Sequence, residues 1–182
     1  MNTKELIITI SGPHGVGKSV YSRALAKKFG LRLLSAGLIF RKMARERGLS
    51  LEEFSKIAAK DESIDKQIDE YIVREARKGG VVVDSLLSGW MLKDVAHIRI
   101  YLKAPLSERV RRIAERDKKS FEEAYRETML REKVERERFK RYYNIDIEDL
   151  SVYDVIIDTT IGDIETIKNV LIRLVESYLK TH

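Results

Sequence analysis

Short apolar runs alternate along this chain with longer segments in which apolar residues recur every three or four positions. The apolar runs lie at residues 6–10, 32–34, 81–83, 98–102 and 155–157. Runs of this length that are rich in β-branched residues are typical of strands buried in a parallel sheet. Because such strands alternate with helices, the pattern predicts an α/β fold with a five-stranded parallel sheet and helices on both faces.

The stretch between the second and third apolar runs, residues 36–78, has a helical pattern throughout. Its helices are separated at Gly48 and near residues 59–61, and the last one ends at Gly79. A Ser-x-x-Glu capping box at residues 50–53 predicts the start of the second helix. We therefore expect a helical insertion between two strands of the sheet.

The second half of the chain follows the same alternation. Residues 85–92 are predicted to form a loop, and Pro105 is well placed as the first residue of the next helix. A second Ser-x-x-Glu box at residues 120–123 predicts the start of a long charged helix that ends near Tyr143. The last helix, capped by Asp163, is predicted to turn inward Ile164, Ile167, Val170, Leu171, Leu174, Val175 and Tyr178. No stretch rich in Pro, Gly or Ser divides the chain, so we expect one domain over residues 1–182.

Between the first strand and the first helix lies GPHGVGKS, residues 12–19, with the G-x-x-x-x-G-K-S spacing of a phosphate-binding P-loop. Its glycines allow a close turn in which backbone N–H groups hold phosphate oxygens, and the following helix adds its positive end. Lys18 is expected to act on the outer phosphates, and the Ser19 hydroxyl to ligate Mg²⁺. The residues predicted to bind the donor nucleotide are Gly12, Pro13, His14, Gly15, Val16, Gly17, Lys18, Ser19 and Val20.

Composition restricts the class of protein. The chain has 182 residues, 43% of them hydrophobic, and no cysteine, which excludes disulfides and zinc–thiolate sites. No apolar run approaches the roughly 18 residues that cross a bilayer. The N-terminus runs directly into the first strand without the pattern of a signal peptide. We therefore expect a cytoplasmic protein that does not enter a membrane.

The formal net charge of +6 leaves two interpretations open. A nucleic-acid-binding ATPase would use the excess on a polyanion, whereas a kinase would use it in a cleft for small phosphorylated molecules. Charges of both signs alternate along the helices, as at residues 131–138, and this favours the second interpretation. A switch GTPase is not favoured, because neither a D-x-x-G nor an N-K-x-D segment occurs in the sequence. We expect small-molecule partners and no nucleic acid.

Several side chains outside the loop are candidates for contact with phosphate or metal. Asp84 ends an apolar strand, at the sheet edge where open parallel sheets bind ligands, and is a candidate for the Mg²⁺ shell. Arg109, Arg112 and the arginines of the next helix could close over the charge of a moving phosphoryl group. Arg41 could hold an acceptor phosphate bidentately, and Trp90 could either stack on a base or pack in the core.

On these residues the chain resembles the cytidylate kinases, most closely the archaeal type. The resemblance covers nearly the whole chain, in the segments GPHGVGKS, SAGLIFRKMARERGLSLEEFSK, VVVD followed by SGW, YLKAPLSERVRRIAERD and RERFKRYYNIDIEDLSVYDVIIDT. It implies a P-loop nucleoside-monophosphate kinase fold with a core, a helical acceptor-binding insertion at residues 36–78 and a small lid at about 117–145. Members of the family transfer the γ-phosphate of ATP to CMP or dCMP with Mg²⁺, so ATP and Mg²⁺ are implied here. We expect a monomer.

The resemblance also implies roles for particular residues. The catalytic residues would be Lys18, Arg131, Arg136 and Arg138. Arg109 and Arg112 would join the loop in binding the donor nucleotide, and Ser19 and Asp84 would hold the metal. The acceptor would contact Ser35, Gly37, Arg41, Asp84, Gly89 and Asp146, to which the sequence adds Trp90.

Two positions on the acceptor side depart from the family pattern. The family usually reads S-A-G-[DE]-I-F-R, where this chain has Leu38, and it usually has an arginine two residues after the acid of the third strand, where this chain has Leu86. Two leucines in place of an acid and an arginine indicate a remodelled polar cluster. A kinase of the same fold with another small-molecule acceptor is therefore an open alternative.

Overall fold

The fold is built on one parallel sheet. We describe it from a computed structural model that covers residues 2–182, except for the side chains of residues 51 and 52. The strands are β1 (Ile7–Ser11), β2 (Arg32–Ser35), β3 (Val81–Asp84), β4 (Ile98–Lys103) and β5 (Val155–Asp158). All of them run parallel in the order β2-β3-β1-β4-β5, which confirms the predicted five-stranded parallel sheet.

The register of the sheet decides which residues meet at its carboxyl edge. Asp84 at the end of β3 lies opposite Ser35 of β2 and Ile10 of β1. On the other side of β1, Ser11 lies opposite Tyr101 of β4. The loop that follows the central strand β1 is therefore flanked by polar residues from three neighbouring strands, at the edge where parallel sheets bind ligands.

Helices cover both faces of the sheet, as predicted. They are α1 (Lys18–Phe29), α2 (Ala36–Glu46), α3 (Leu51–Ala58), α4 (Glu62–Ala76), α5 (Ser88–Met91), α6 (Leu106–Asp117), α7 (Phe121–Tyr143) and α8 (Ile164–Thr181). Leu25 of α1 and Leu171 of α8 pack on one face, against Ile8 and Ile100. The insertion α2–α4 packs on the other face, with Phe54 and Ile68 in the same buried cluster as Val83.

Helices α6 and α7 form an antiparallel pair outside these two layers. Val110, Ile113 and Ala114 of α6 and Ala124 of α7 make a small buried cluster of their own. Lys118 ends α6 in the left-handed conformation, with φ of 55°, and the chain reverses direction there. Helix α7, which is 23 residues long, continues beyond this cluster and reaches both the loop after β1 and the insertion.

The structure differs from the predicted elements in three places. Within the predicted loop 85–92, residues 88–91 form the short helix α5. Pro105 is not the first helical residue but precedes it, because its ψ of 145° is extended. Ile164 and Val170 of α8 are exposed and not inward, because α8 packs through the narrower stripe that contains Ile167, Leu171 and Val175.

The predicted capping boxes are formed to different extents. At residues 50–53 both reciprocal hydrogen bonds are present, between the Ser50 hydroxyl and the Glu53 backbone and between the Glu53 carboxylate and the Ser50 backbone. At Ser120 the hydroxyl accepts a hydrogen bond from the Glu123 backbone N–H at 3.2 Å. Across residues 2–182, no helix combines the length and apolar content that a membrane span requires.

We predict that the insertion depends on Phe54, which is 0% exposed and packs its ring 4.7 Å from that of Phe40. Phe54→Ala should lower the free energy of unfolding by about 3–5 kcal/mol, because it removes a buried ring and leaves a cavity. Phe121→Ala, at a ring that is 43% exposed, is the matched control and should cost less than about 1 kcal/mol. Chemical denaturation measures both, and equal losses would contradict the prediction.

Candidate active site

The loop of residues 12–17 lies directly against the backbone of two other elements. A Cβ added to Gly12 would lie 2.2 Å from the carbonyl oxygen of Leu102 in β4, and one added to Gly15 would lie 2.5 Å from that of Arg109 in α6. Both glycines also have positive φ, at 139° and 83°. Only glycine fits these two positions, so the turn is held in shape by its surroundings.

Lys18, the first residue of α1, turns its side chain back over the loop. Its Nζ donates hydrogen bonds to the carbonyl oxygens of Gly12, at 2.5 Å, and Pro13, at 3.0 Å. Burial lowers the pKa of the Lys18 ammonium, and the nearby carboxylates of Asp84 and Glu135 oppose that shift. The ammonium is thus held over the concave side of the loop by backbone oxygens.

The predicted metal ligands Ser19 and Asp84 are in direct contact. The Ser19 hydroxyl donates to Oδ2 of Asp84 at 3.0 Å. The hydroxyls of Ser22 in α1 and Ser35 at the end of β2 lie 3.5 Å from the same oxygen. Asp84 is buried, and it gathers polar groups from α1, β2 and β3 at one point beside the loop.

A second group of contacts connects the loop to α6 and α7. Nε2 of His14 donates to Oε2 of Glu135 at 2.7 Å, and Nε of Arg131 donates to Oε1 of the same carboxylate at 3.1 Å. Arg109 donates to the backbone oxygen of His14 at 3.0 Å and also forms an ion pair with Glu132. Helix α7 therefore places both acidic and basic side chains at the loop.

A cavity of about 390 Å³ opens beside these contacts. Its walls come from the loop, the end of β4, α6, α7 and the segment after α7. The residues that line it are Pro13, His14, Leu86, Tyr101, Lys103, Ala104, Arg109, Glu132, Glu135, Arg136, Ile147, Glu148 and Leu150. Leu86, one of the two departures from the family pattern, therefore faces the same space as the phosphate loop.

Comparison with known sequences identifies the family. The sequence profile of the Cytidylate kinase-like family matches residues 7–161. The chain belongs to this family. A protein named cytidylate kinase from Staphylothermus marinus is 49% identical over 175 residues, which cover 96% of this chain and 99% of that protein. One of the same name from Methanocaldococcus jannaschii is 39% identical over 178 residues, which cover 96% of this chain and 100% of that protein. The predicted family is thereby confirmed.

Solved structures with the same fold are more distant in sequence. An uncharacterised protein from Eubacterium ventriosum gives a TM-score of 0.72 at 20% identity, covering 96% of this chain and 99% of that one. Shikimate kinase from Acinetobacter baumannii gives a TM-score of 0.61 at 19% identity, covering 96% of this chain and 95% of that one. At this identity the likeness shows the fold, which is that of the P-loop kinases.

The structure brings together one part of the predicted site in this family member. The loop, Ser35, Asp84, Arg109 and Arg131 converge at the carboxyl edge of the sheet. Arg41 is exposed in α2 and forms no hydrogen bond or ion pair with any described residue. Its guanidinium lies beside Gly37, where an added Cβ would be 3.6 Å from an Arg41 nitrogen.

Three other predicted site residues bind groups outside the phosphate loop. Arg112 donates to the Thr159 hydroxyl at 2.9 Å, and Arg136 forms an ion pair with Glu148 at 2.6 Å. Asp146 is exposed, and its carboxylate accepts from the Glu148 backbone N–H at 3.0 Å.

Gly89 and Trp90 lie in α5. A Cβ on Gly89 would be 2.2 Å from the ring of Tyr153, so this glycine permits a close ring contact. Trp90 is half-buried, and its indole Nε1 is buried without a hydrogen-bond partner among the described residues.

Glu135 and Glu132 are site residues that sequence reasoning missed. Glu135 is only 8% exposed, although the many charged residues of α7 predict a solvent-exposed helix. The only local signal is its spacing from Arg131, at i and i+4. Nothing in the sequence indicates which face of α7 turns toward the loop.

The far end of α7 contacts the insertion through a second polar cluster. Arg138 forms an ion pair with Asp65 of α4 at 2.8 Å, and the Tyr143 hydroxyl donates to Asp69 at 2.8 Å. Burial raises the pKa of the Asp69 carboxyl to about 6, with Asp65 adding to the shift, while the hydrogen bond from Tyr143 and the charge of Arg138 oppose it.

This raised pKa predicts a pH-dependent stability. Folding favours the protonated Asp69, so its stabilising contribution is fully present below about pH 4 and is lost as the pH rises through about 6. Asp69→Asn cannot ionise, so its advantage over the wild type in unfolding free energy should grow between pH 4 and pH 7, to the order of 2 kcal/mol. Glu70→Gln, at the exposed neighbour, should leave the wild-type pH dependence unchanged. Chemical denaturation at several pH values measures all three, and parallel curves for Asp69→Asn and the wild type would refute the assignment.

Proposed function

We propose that this protein transfers a phosphoryl group from ATP to CMP or dCMP, giving the nucleoside diphosphate and ADP. The observation that carries the proposal is the similarity along the whole chain to proteins named cytidylate kinase. That similarity spans the phosphate loop as well as the insertion that would bind the acceptor. The geometry of the loop, Lys18 and the Ser19–Asp84 pair supports it.

The donor would bind over residues 12–20. Backbone N–H groups of the loop and the N-terminus of α1 would surround its phosphates. Lys18 is already held over the loop by two carbonyl oxygens, so its charge needs little reorganisation to meet the outer phosphates. Arg109 and Arg112 would border this donor, with Arg109 already bound to the loop through His14.

The residues beside the loop fit a Mg²⁺ ion. Mg²⁺ prefers oxygen ligands and binds through one or two carboxylates together with substrate phosphates and water. Ser19 and Asp84 supply one hydroxyl and one carboxylate within 3.0 Å of each other. Among the side chains that the structure describes, no group of three or more His, Cys, Asp or Glu could hold a metal ion. When bound, Mg²⁺ would neutralise charge on the phosphates.

The acceptor would bind between the insertion, residues 36–78, and the edge of the sheet. Ser35 caps α2, Gly37 lies in its first turn and Arg41 in its middle, and Arg41 has its donors available for a phosphate. Of the remaining arginines, Arg131 already stands at the loop, whereas Arg136 and Arg138 are paired with Glu148 and Asp65. Because an oxygen of the acceptor would attack the γ-phosphoryl group, the protein needs no nucleophile of its own. Its side chains would orient the two substrates and neutralise the charge of the phosphates.

Residues 117–145 would act as the lid. Closure of the lid and the insertion would bring Arg136 and Arg138 toward the moving phosphoryl group and exclude water. Contacts of Gly89, Trp90 and Asp146 with the acceptor stay predictions. The monomeric state and the cytoplasmic location of the protein also stay predictions.

An acceptor screen tests the proposal. ADP formation from Mg²⁺–ATP should accelerate with CMP and dCMP and remain at background with AMP, GMP and an acceptor that carries no phosphate. Chelation of the metal with EDTA should abolish the accelerated rate. The alternative of another acceptor, raised by Leu38 and Leu86, is not favoured by the full-length relatives. Turnover with a different acceptor, and none with CMP or dCMP, would contradict the proposal and support the alternative acceptor.

Arg41→Ala should weaken acceptor binding specifically. Loss of a charge-assisted contact to phosphate should raise the KM for CMP about 10- to 100-fold. The KM for ATP should change little, because Arg41 lies in the insertion and not at the loop. Arg45→Ala, one turn further along the same helix and also exposed, is the matched control. A rise in the KM for ATP of the same size would show that Arg41 does not act on the acceptor.

A further inference from the structure

We infer that Glu135 is a positioning residue of the donor site, which holds His14 of the phosphate loop and Arg131 of α7 in place for the phosphates of the donor. The phosphate-loop motif does not include this carboxylate. The inference rests on the proposed phosphoryl transfer, and it goes further by naming what shapes the loop. Three observations carry it: the contacts of the carboxylate, its charge in a buried place, and the groups it leaves available.

Both oxygens of Glu135 are used, each by a different element. Oε2 accepts from Nε2 of His14 at 2.7 Å, and Oε1 accepts from Nε of Arg131 at 3.1 Å. His14 is also held at its backbone, where Arg109 donates to its carbonyl oxygen at 3.0 Å. The central residue of the loop is thus bound to α6 through its backbone and to α7 through its side chain.

Glu135 remains ionised although it is buried. Burial by itself would raise its pKa, but the hydrogen bond from His14 and the nearby charge of Arg131 outweigh burial and lower the pKa of Glu135 to about 2. Burial lowers the pKa of the His14 imidazole, the charges of Arg131 and Lys18 add to that shift, and Glu135 opposes it. A carboxylate kept ionised in such a place binds its donors strongly and in defined directions.

Glu135 orients Arg131 but leaves the terminal nitrogens of its guanidinium available. Its Nε is bound to Glu135, while its terminal nitrogens have no partner among the described residues, and its side chain is 63% exposed. Its positive charge acts on both His14 and Lys18, so the guanidinium lies close to the loop. An arginine fixed at Nε can still donate from its other nitrogens to a phosphate.

A purely structural role would look different. Glu132 also binds an arginine, but that partner, Arg109, is buried and ties α6 to α7. Glu135 instead connects the His14 side chain of the loop with Arg131, whose terminal nitrogens are open to a ligand. Replacing Glu135 by the isosteric Gln removes the charge but keeps the volume, so the positioning role can be separated from packing.

The test compares Glu135→Gln with Glu137→Gln, a matched control at an exposed glutamate on the same helix. The chain has only three histidines, so the His14 ring can be followed by NMR and assigned with His14→Asn. In Glu135→Gln we expect a lower His14 pKa, because the carboxylate that stabilises the imidazolium is gone, and a smaller shift of the ring signal on addition of ATP without acceptor. We expect kcat to fall about 10- to 100-fold, with the KM for CMP within about threefold of wild type. Glu137→Gln should match the wild type in every measurement.

Each outcome decides the matter. A folded Glu135→Gln with wild-type kcat and an unchanged His14 titration would overturn the inference. Lower stability with an unchanged His14 titration and ATP response would assign Glu135 a structural role only, which also overturns it. If Glu135→Gln does not fold, Arg131→Gln and His14→Asn serve instead: each should lower kcat, and the double variant should lose no more than the larger single loss. Full additivity would refute a shared anchor. If the wild type transfers phosphate to no monophosphate, the proposed function fails, whereas the ATP-dependent His14 signal still tests the inference.

Discussion

The backbone turn of residues 12–17 is the constraint on which the rest of the site depends. Gly12 lies against the end of β4 and Gly15 against the first turns of α6, at distances that leave no room for a side chain. The backbones of the loop, β4 and α6 are therefore in close contact, and a side chain at either glycine would force them apart. The ammonium of Lys18 and the hydroxyl of Ser19 inherit their positions from this packing, and Asp84 meets them because β3 is the neighbouring strand.

Helix α7 connects the two halves of the site. Near the middle of α7, Glu135 and Arg131 face the phosphate loop. One turn further on, Arg138 forms an ion pair with Asp65 of the insertion, and at the end of the helix Tyr143 donates a hydrogen bond to Asp69. A movement of this helix would therefore change contacts at the phosphate loop and at the insertion together. A closing lid would exchange the carboxylate partners of Arg136 and Arg138 for phosphate, and it would leave the carboxylates of Glu148 and Asp65 without these arginines.

The parts of the site that could be read from the sequence are those that follow from chain-local rules. The P-loop spacing and the apolar strand ending in Asp84 each place a residue at the carboxyl edge of a parallel sheet, and both expectations agree with the structure. The predictions for Pro105 and for residues 88–91 are wrong, because local propensity determines neither a helix boundary to the residue nor whether one short turn of helix forms inside a loop. Glu135 could not be found, because burial of a charged residue in a mixed-charge helix depends on what packs against it.

The sequence by itself determined the strand–helix alternation, the phosphate loop and the family, because apolar periodicity, glycine spacing and full-length similarity are properties of the chain in order. Only the tertiary structure decided which charges are partners: His14 with Glu135, Arg138 with Asp65, and Arg41 with none among the described residues. The physical reason is distance along the chain. His14 and Glu135 are separated by 121 positions, and their contact exists only because the packing of α6 on the loop brings α7 within hydrogen-bond reach.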